Sequence, residues 1–180
     1  KQGVKEFTMY AFGFLMEKAN RVIISNYSRG IGLQELAHQH FVDAIEFGER
    51  GIDLKYNDYQ KWITGEIGNL VLEPHGIDIE LFYWTAAAYG GAVSSSQGDP
   101  EWVIKLPRVG LLLNEVIKKD SVWNNGAALV AMITYTMNNP EIAGESEKLA
   151  RRYFDTAVNA SKGMDLGPYI AIAESVSKVN

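Results

Sequence analysis

Apolar residues recur at helical spacing along nearly the whole chain, the pattern of amphipathic helices that pack by one face. Over 4–24 the stripe is Phe7, Tyr10, Ala11, Phe14, Leu15, Ala19 and Val22. Residues 25–32 (SNYSRGIG) interrupt it with two glycines and small polar side chains, which reads as a loop. The spacing resumes from Leu33 to about Leu54 with Leu36, Ala37, Phe41, Ala44, Ile45 and Phe47. Residues 55–75 predict a short helix and a turn, closed by Glu73-Pro74-His75-Gly76. The next helix is predicted from Asp78, taken as its N-cap, to Ser96. Gly98-Asp99-Pro100 is a stop followed by a start: Asp99 can cap, and Pro100 suits a first helical position. Pro107 falls inside the following apolar pattern, so it either kinks that helix or restarts it. Further helices are predicted at 121–137, 146–161 and 166–178, with the loop NNPEIAGE over 138–145. No stretch shows the two-residue alternation of a strand. The fold class is all-α.

Helices separated by short loops prompt a search for repeats. Leu36-Ala37-x3-Phe41-x2-Ala44-Ile45 returns as Leu149-Ala150-x3-Phe154-x2-Ala157-Val158. A looser copy sets Leu112, Glu115 and Val116 in the places of the Phe, Ala and Ile. The spacings are 71 residues from Phe41 to Leu112 and 42 from Leu112 to Phe154. A repeat of about 34 residues with insertions gives such intervals. In that repeat a small residue lets the partner backbone approach and an aromatic plugs the groove between hairpins. The expectation is a TPR-like right-handed stack of three to four helical hairpins in a single domain.

Composition narrows the class. The chain has 180 residues, 47% of them hydrophobic and 22% charged, enough apolar mass for a core and too much for disorder. Its net charge of −5, with no basic stripe, argues against a nucleic-acid partner. With no cysteine there is no disulfide, no thiolate zinc site and no cysteine nucleophile. The most apolar run, Leu81 to Val93, has 13 residues against the roughly 20 a spanning helix needs, so it reads as a buried helix. The first residue is Lys1, not Met, and no targeting signal is legible.

Motifs for chemistry fail one by one. Glu35 and His38 match one half of a di-metal Glu-x-x-His pattern, but the second copy is missing and a solvated helix face explains them. His38 and His40 project about 200° apart on a helix and cannot share an ion, and His75 sits in a predicted turn. Ser94-Ser95-Ser96 has no nucleophile elbow around it. Gly30-Ile31-Gly32 lacks a third glycine and a preceding strand. The carboxylate pairs Asp78/Glu80 and Glu145/Glu147 lie near helix starts, where they suit the macrodipole. The reading is non-enzymatic, with no cofactor or metal.

Aromatic residues carry more information. Phe14 and Phe82 are read as core. Tyr and Trp differ because a buried phenol or indole wants a hydrogen-bond partner. Helix 78–96 places Ala86, Ala87, Ala88, Gly90, Gly91 and Ala92 beside Tyr83 and Tyr89, so core and cavity wall both remain open for those two.

The helix Leu81-Phe82-Tyr83-Trp84-Thr85-Ala86-Ala87-Ala88-Tyr89-Gly90 resembles that of the T component (TatT) of tetratricopeptide-repeat-associated TRAP transporters. Other stretches are similar to the family in the same order. They are Phe7 to Ala11 with Glu17 to Arg21, then Asp99-Pro100 and Leu106-Pro107, then Asn125-Gly126-Ala127 where the family has His-Gly-Ala. Gly144 to Ala150, Phe154-x2-Ala157, Ser161-x-Gly163 and Pro168-Tyr169-x3-Ala173 complete the set. The resemblance implies a periplasmic, lipid-anchored homotrimer that works with a substrate-binding P component. It also implies an internal passage for a small organic ligand, with Tyr10, Tyr83, Trp84, Tyr89, Asn125 and Tyr135 as its wall. Lys1 and the missing anchor cysteine then mark a central piece of a longer protein. A generic TPR module holding a peptide or partner protein is the second reading. A helical metalloenzyme on Glu35 and His38 is the third.

Overall fold

A computed structural model describes residues 1–67 and 76–176, and the predicted turn with His75 lies outside them. The described residues contain helices and turns and no strand, as the periodicity predicts. They divide into two compact units between Val109 and Gly110.

The first unit opens with one continuous helix over 2–22: α1 (Gln2–Tyr10), a π-helical segment (Ala11–Met16) and α2 (Glu17–Val22). Val4, Thr8, Ala11, Leu15 and Ala19 form its buried face. Phe14, expected in the core, is instead 69% exposed and stacks on Tyr10 at 5.8 Å. The π segment widens the turn, which keeps Leu15 inward and swings Phe14 off the buried face.

α3 (Tyr27–Asp53) starts inside the stretch predicted as a loop. Asn26 caps it by accepting from the Arg29 amide at 3.0 Å. Gly30 serves contact here: a Cβ there would lie 2.6 Å from the Ile23 Cα. The glycines of 25–32 therefore do not signal irregular backbone.

α4 (Tyr59–Ile63) is short. α5 (Gly76–Ser95) begins before Asp78, which is buried in its first turn and ion-paired to Lys55 instead of capping. Tyr56 also donates to Asp78 at 3.3 Å. α6 (Pro100–Val103) starts as predicted, with Asp99 accepting from the Glu101 amide at 2.9 Å. α7 (Leu106–Lys119) has Pro107 in its first turn, so the proline restarts the helix.

α3 and α5 make the main packing of the first unit, and small residues allow it. Ala37 and Ala44 on α3, with Ala88 and Ala92 on α5, are fully buried. A Cβ on Gly48 would sit 2.2 Å from the Thr85 Oγ1, and one on Gly91 would sit 2.3 Å from the Phe41 ring. Part of the space beside Tyr89 on α5 is therefore filled by Phe41.

In the second unit α8 (Trp123–Asn138) packs on α9 (Ser146–Ala160), and α10 (Gly167–Val176) packs on both. Asn124, Asn125 and Gly126 are left-handed (φ 50°, 58° and 80°), so the right-handed part of α8 begins after them. A 3-10 turn (Pro140–Ile142) interrupts the predicted loop, with Asn139 accepting from the Glu141 amide at 3.0 Å. Of the repeat positions, Ala37, Phe41, Ala44, Ile45, Ala150, Ala157 and the looser copy's Leu112, Glu115 and Val116 are buried, while Leu149, Phe154 and Val158 are half-buried and Leu36 is 42% exposed. Helices paired in this way fit TPR-like hairpins.

Candidate functional site

Close packing of α3 on α5 sets Glu49 against the buried Tyr89. The Tyr89 hydroxyl donates to Glu49 Oε1 at 2.6 Å and accepts from Arg108 Nη1 at 2.8 Å. Arg108 and Glu49 are themselves 3.8 Å apart, and the guanidinium lies 5.5 Å from the Tyr89 ring centre. Burial first, then Glu49, pushes the Tyr89 pKa well up, so its proton stays in place. Tyr59 on α4 is fully buried, and its hydroxyl has no partner among the described residues. Burial, then Glu49 and Tyr89, raises its pKa, while Arg108 opposes and Asp53 adds to the rise. A buried hydroxyl left unsatisfied costs about 1–3 kcal/mol.

The other predicted wall residues of this unit make further contacts of their own. Tyr83 meets Trp84 edge-on at 5.2 Å and its pKa is raised by burial. Lys5 lies 5.7 Å from the Trp84 ring centre and pairs with Glu80 at 3.1 Å. Tyr10 is 47% exposed and meets His40 edge-on at 5.4 Å.

The second unit holds Asn125, exposed in the left-handed turn, and Tyr135. Tyr135 accepts from Asn139 Nδ2 at 3.0 Å, and burial raises its pKa. Its ring lies on Gly110, where a Cβ would come within 2.5 Å. Two surface hollows, of about 600 and 530 Å³, are lined elsewhere, around Ser146 to Arg151 and around Lys1, Lys5 and Glu80. None of the six predicted residues lines either hollow.

The model of the TRAP transporter T-component family matches residues 2–180. The chain belongs to that family. Comparisons with curated proteins and with solved structures gave no significant match. As a TRAP T component it is part of a transport system, and no helix among its described residues is long and apolar enough to cross a membrane.

In this T component His38 is part of the packing. Its Nδ1–H tautomer donates to the Ala92 carbonyl (3.1 Å) and the Ser95 hydroxyl (3.0 Å), and the ring meets Trp102 edge-on at 4.9 Å. Glu35 is exposed, and among the described residues no three His, Asp or Glu side chains gather as a metal site. Glu49, Arg108 and Tyr59 were not singled out in the sequence. Glu49 and Arg108 look there like ordinary surface charges, and the one available signal is that Arg108 interrupts an otherwise apolar run (LPRVGLLL).

Proposed function

We propose that this T component is a non-enzymatic, periplasmic accessory of a TRAP-type transporter. It binds a small organic ligand, or passes it to or from a substrate-binding P component, by shape and polarity along its helices. The whole-chain family match carries the reading. It is supported by a mixed wall in the first unit, where Tyr83 and Tyr89 lie on an Ala- and Gly-rich helix and the Tyr89 hydroxyl is held between Glu49 and Arg108. Ligand contacts in that unit fall to Tyr10, Tyr83, Trp84 and Tyr89, and in the second unit to Asn125 and Tyr135. Lipid anchoring and assembly as a homotrimer are part of the same proposal. The direct test is sedimentation of the protein with its cognate P component at high micromolar concentration. A co-sedimenting complex is expected, and two independent boundaries at that concentration would sink the transporter reading. The same runs on the T component alone give its mass, expected at three times that of the monomer.

A further inference from the structure

The first helix and α3 share a stripe of rings on the surface of the first unit. Phe47 meets Phe7 at 5.6 Å, Phe7 meets His40 at 5.5 Å, His40 meets Tyr10 at 5.4 Å, and Tyr10 stacks on Phe14. At the Phe47 end a Cβ on Gly3 would lie 3.5 Å from the ring, in ordinary contact. Phe14, Tyr10 and Phe47 stand in water, the last 42% exposed. Single exposed apolar side chains are ordinary, but a contiguous row of rings marks a surface that another molecule covers. From Gly3 to Phe14 the row follows the first helix for eleven residues, about 16 Å or three turns. Over that length a partner helix presents apolar anchors at i, i+4, i+7 and i+11.

Charge selects the partner. Asp43 lies one turn from both His40 and Phe47 on α3, and Glu6 lies one turn from both Gly3 and Tyr10 on α1, so each acid borders the stripe. Both are exposed, and neither is ion-paired among the described residues. The cations nearest in sequence are engaged. Lys1 and Lys5 pair with Glu80 at 2.7 and 3.1 Å, and Arg50, 6.0 Å from the Phe47 ring centre, pairs with Glu46. A turn past Phe14 the adjacent Glu17 and Lys18 cancel in formal charge. The rim therefore keeps the two uncompensated charges of Glu6 and Asp43. A second copy packed on this face by a two-fold axis would set acid against acid, and an anionic lipid surface would meet the same repulsion. Lys or Arg beside an apolar stripe complements it.

We propose that the stripe from Phe47 to Phe14 docks a cationic amphipathic helix of a protein partner, with its apolar anchors on the rings and its Lys or Arg beside Glu6 and Asp43. Only Tyr10 is shared with the ligand contacts proposed above, so the two readings are tested on different residues and fail separately. The probe is a synthetic helical peptide of about five turns with a Leu stripe flanked by Lys. It is titrated into the full chain by fluorescence anisotropy at physiological salt. Controls are the same peptide with Glu for Lys, and with Ser for Leu. The Leu/Lys peptide is expected to bind about tenfold or more tighter than either control. Phe14→Ala and Asp43→Lys change exposed side chains and keep the fold, and each is expected to weaken it about fivefold or more. Asp155→Lys, an equal change of net charge at an exposed position of α9, is expected to leave the affinity unchanged. Equal binding of the Leu/Glu peptide, undiminished affinity in Phe14→Ala, or an equal loss in Asp155→Lys overturns the proposal. An oligomer of the chain alone that Phe14→Ala and Asp43→Lys both dissociate assigns the face to a second copy, and overturns it too.

Discussion

Tyr59 and Tyr89 are two buried phenols on neighbouring helices with opposite debts to their hydroxyls. Tyr89→Phe removes the group that links Glu49 to Arg108 and should lower stability by about 1–3 kcal/mol. Tyr59→Phe removes a hydroxyl with no partner among the described residues and should leave stability unchanged or raise it by up to about 1 kcal/mol. Urea midpoints of the two variants, compared at equal slope, check the contrast. Asn125 raises another question of single residues. It stands in a left-handed turn with Asn124 and Gly126, and a left-handed backbone costs a residue with a Cβ roughly 1–2 kcal/mol. Gly126→Ala would add that strain and bring a methyl to 3.1 Å from the Ala160 Cβ, so a loss of about 1–2 kcal/mol is expected in thermal unfolding. That Tyr89 wants a polar partner was legible, because a tyrosine beside alanine and glycine on an apolar helix is unusual enough to ask for one. The partner itself was not. Glu49 and Arg108 are 59 residues apart, and no local pattern tells a surface charge from one folded against a buried phenol.

Among the elements, α3 and α5 show how a helix pair uses its smallest residues. Gly91 accepts the Phe41 ring, so Gly91→Ala should destabilise by about 1–3 kcal/mol through overpacking. Its neighbour Gly90 meets nothing within 4 Å, and Gly90→Ala should stabilise by about 0.4–1 kcal/mol by stiffening the unfolded chain. Opposite shifts in melting temperature for adjacent glycines would be the signature, and equal shifts would refute this account of the crossing. The same distinction explains the start of α3. A glycine read from sequence signals either irregular backbone or close approach, and Gly30 is the second kind because Ile23 leaves no room for a side chain. Capping chemistry was easier to read, since Asp99-Pro100 acts within three residues. Asp78 was misplaced because burial and the Lys55 ion pair, both tertiary, decide its role.

For the molecule as a whole, the all-α class was legible because it rests on periodicity, which packing follows among the described residues. The polar cluster of Glu49, Tyr89 and Arg108 was less so, because it converges from α3, α5 and α7. Acid stability is also a property of the whole chain, and Glu80 contributes to it. Hydrogen bonds from Lys1 and then Lys5 hold its carboxyl below the ordinary value of 4.5. A depressed carboxyl stabilises the fold above its unfolded value, and that contribution is lost as pH falls through the lower folded one. Glu80→Gln should therefore flatten the acid limb of a plot of melting temperature against pH, while changing its slope little above neutrality. The widened turn at Ala11–Met16, finally, bears on how many residues the first helix requires. A π segment holds one residue more than the same length of α-helix, and Gly13 within it touches nothing within 4 Å. Deleting Gly13 lets the ladder close to ordinary helix and turns the faces on either side only slightly. Deleting the equally open Gly32 from regular helix in α3 would rotate everything after it by about 100°. At Gly13 the chain can be shortened by one residue without turning a buried face to water.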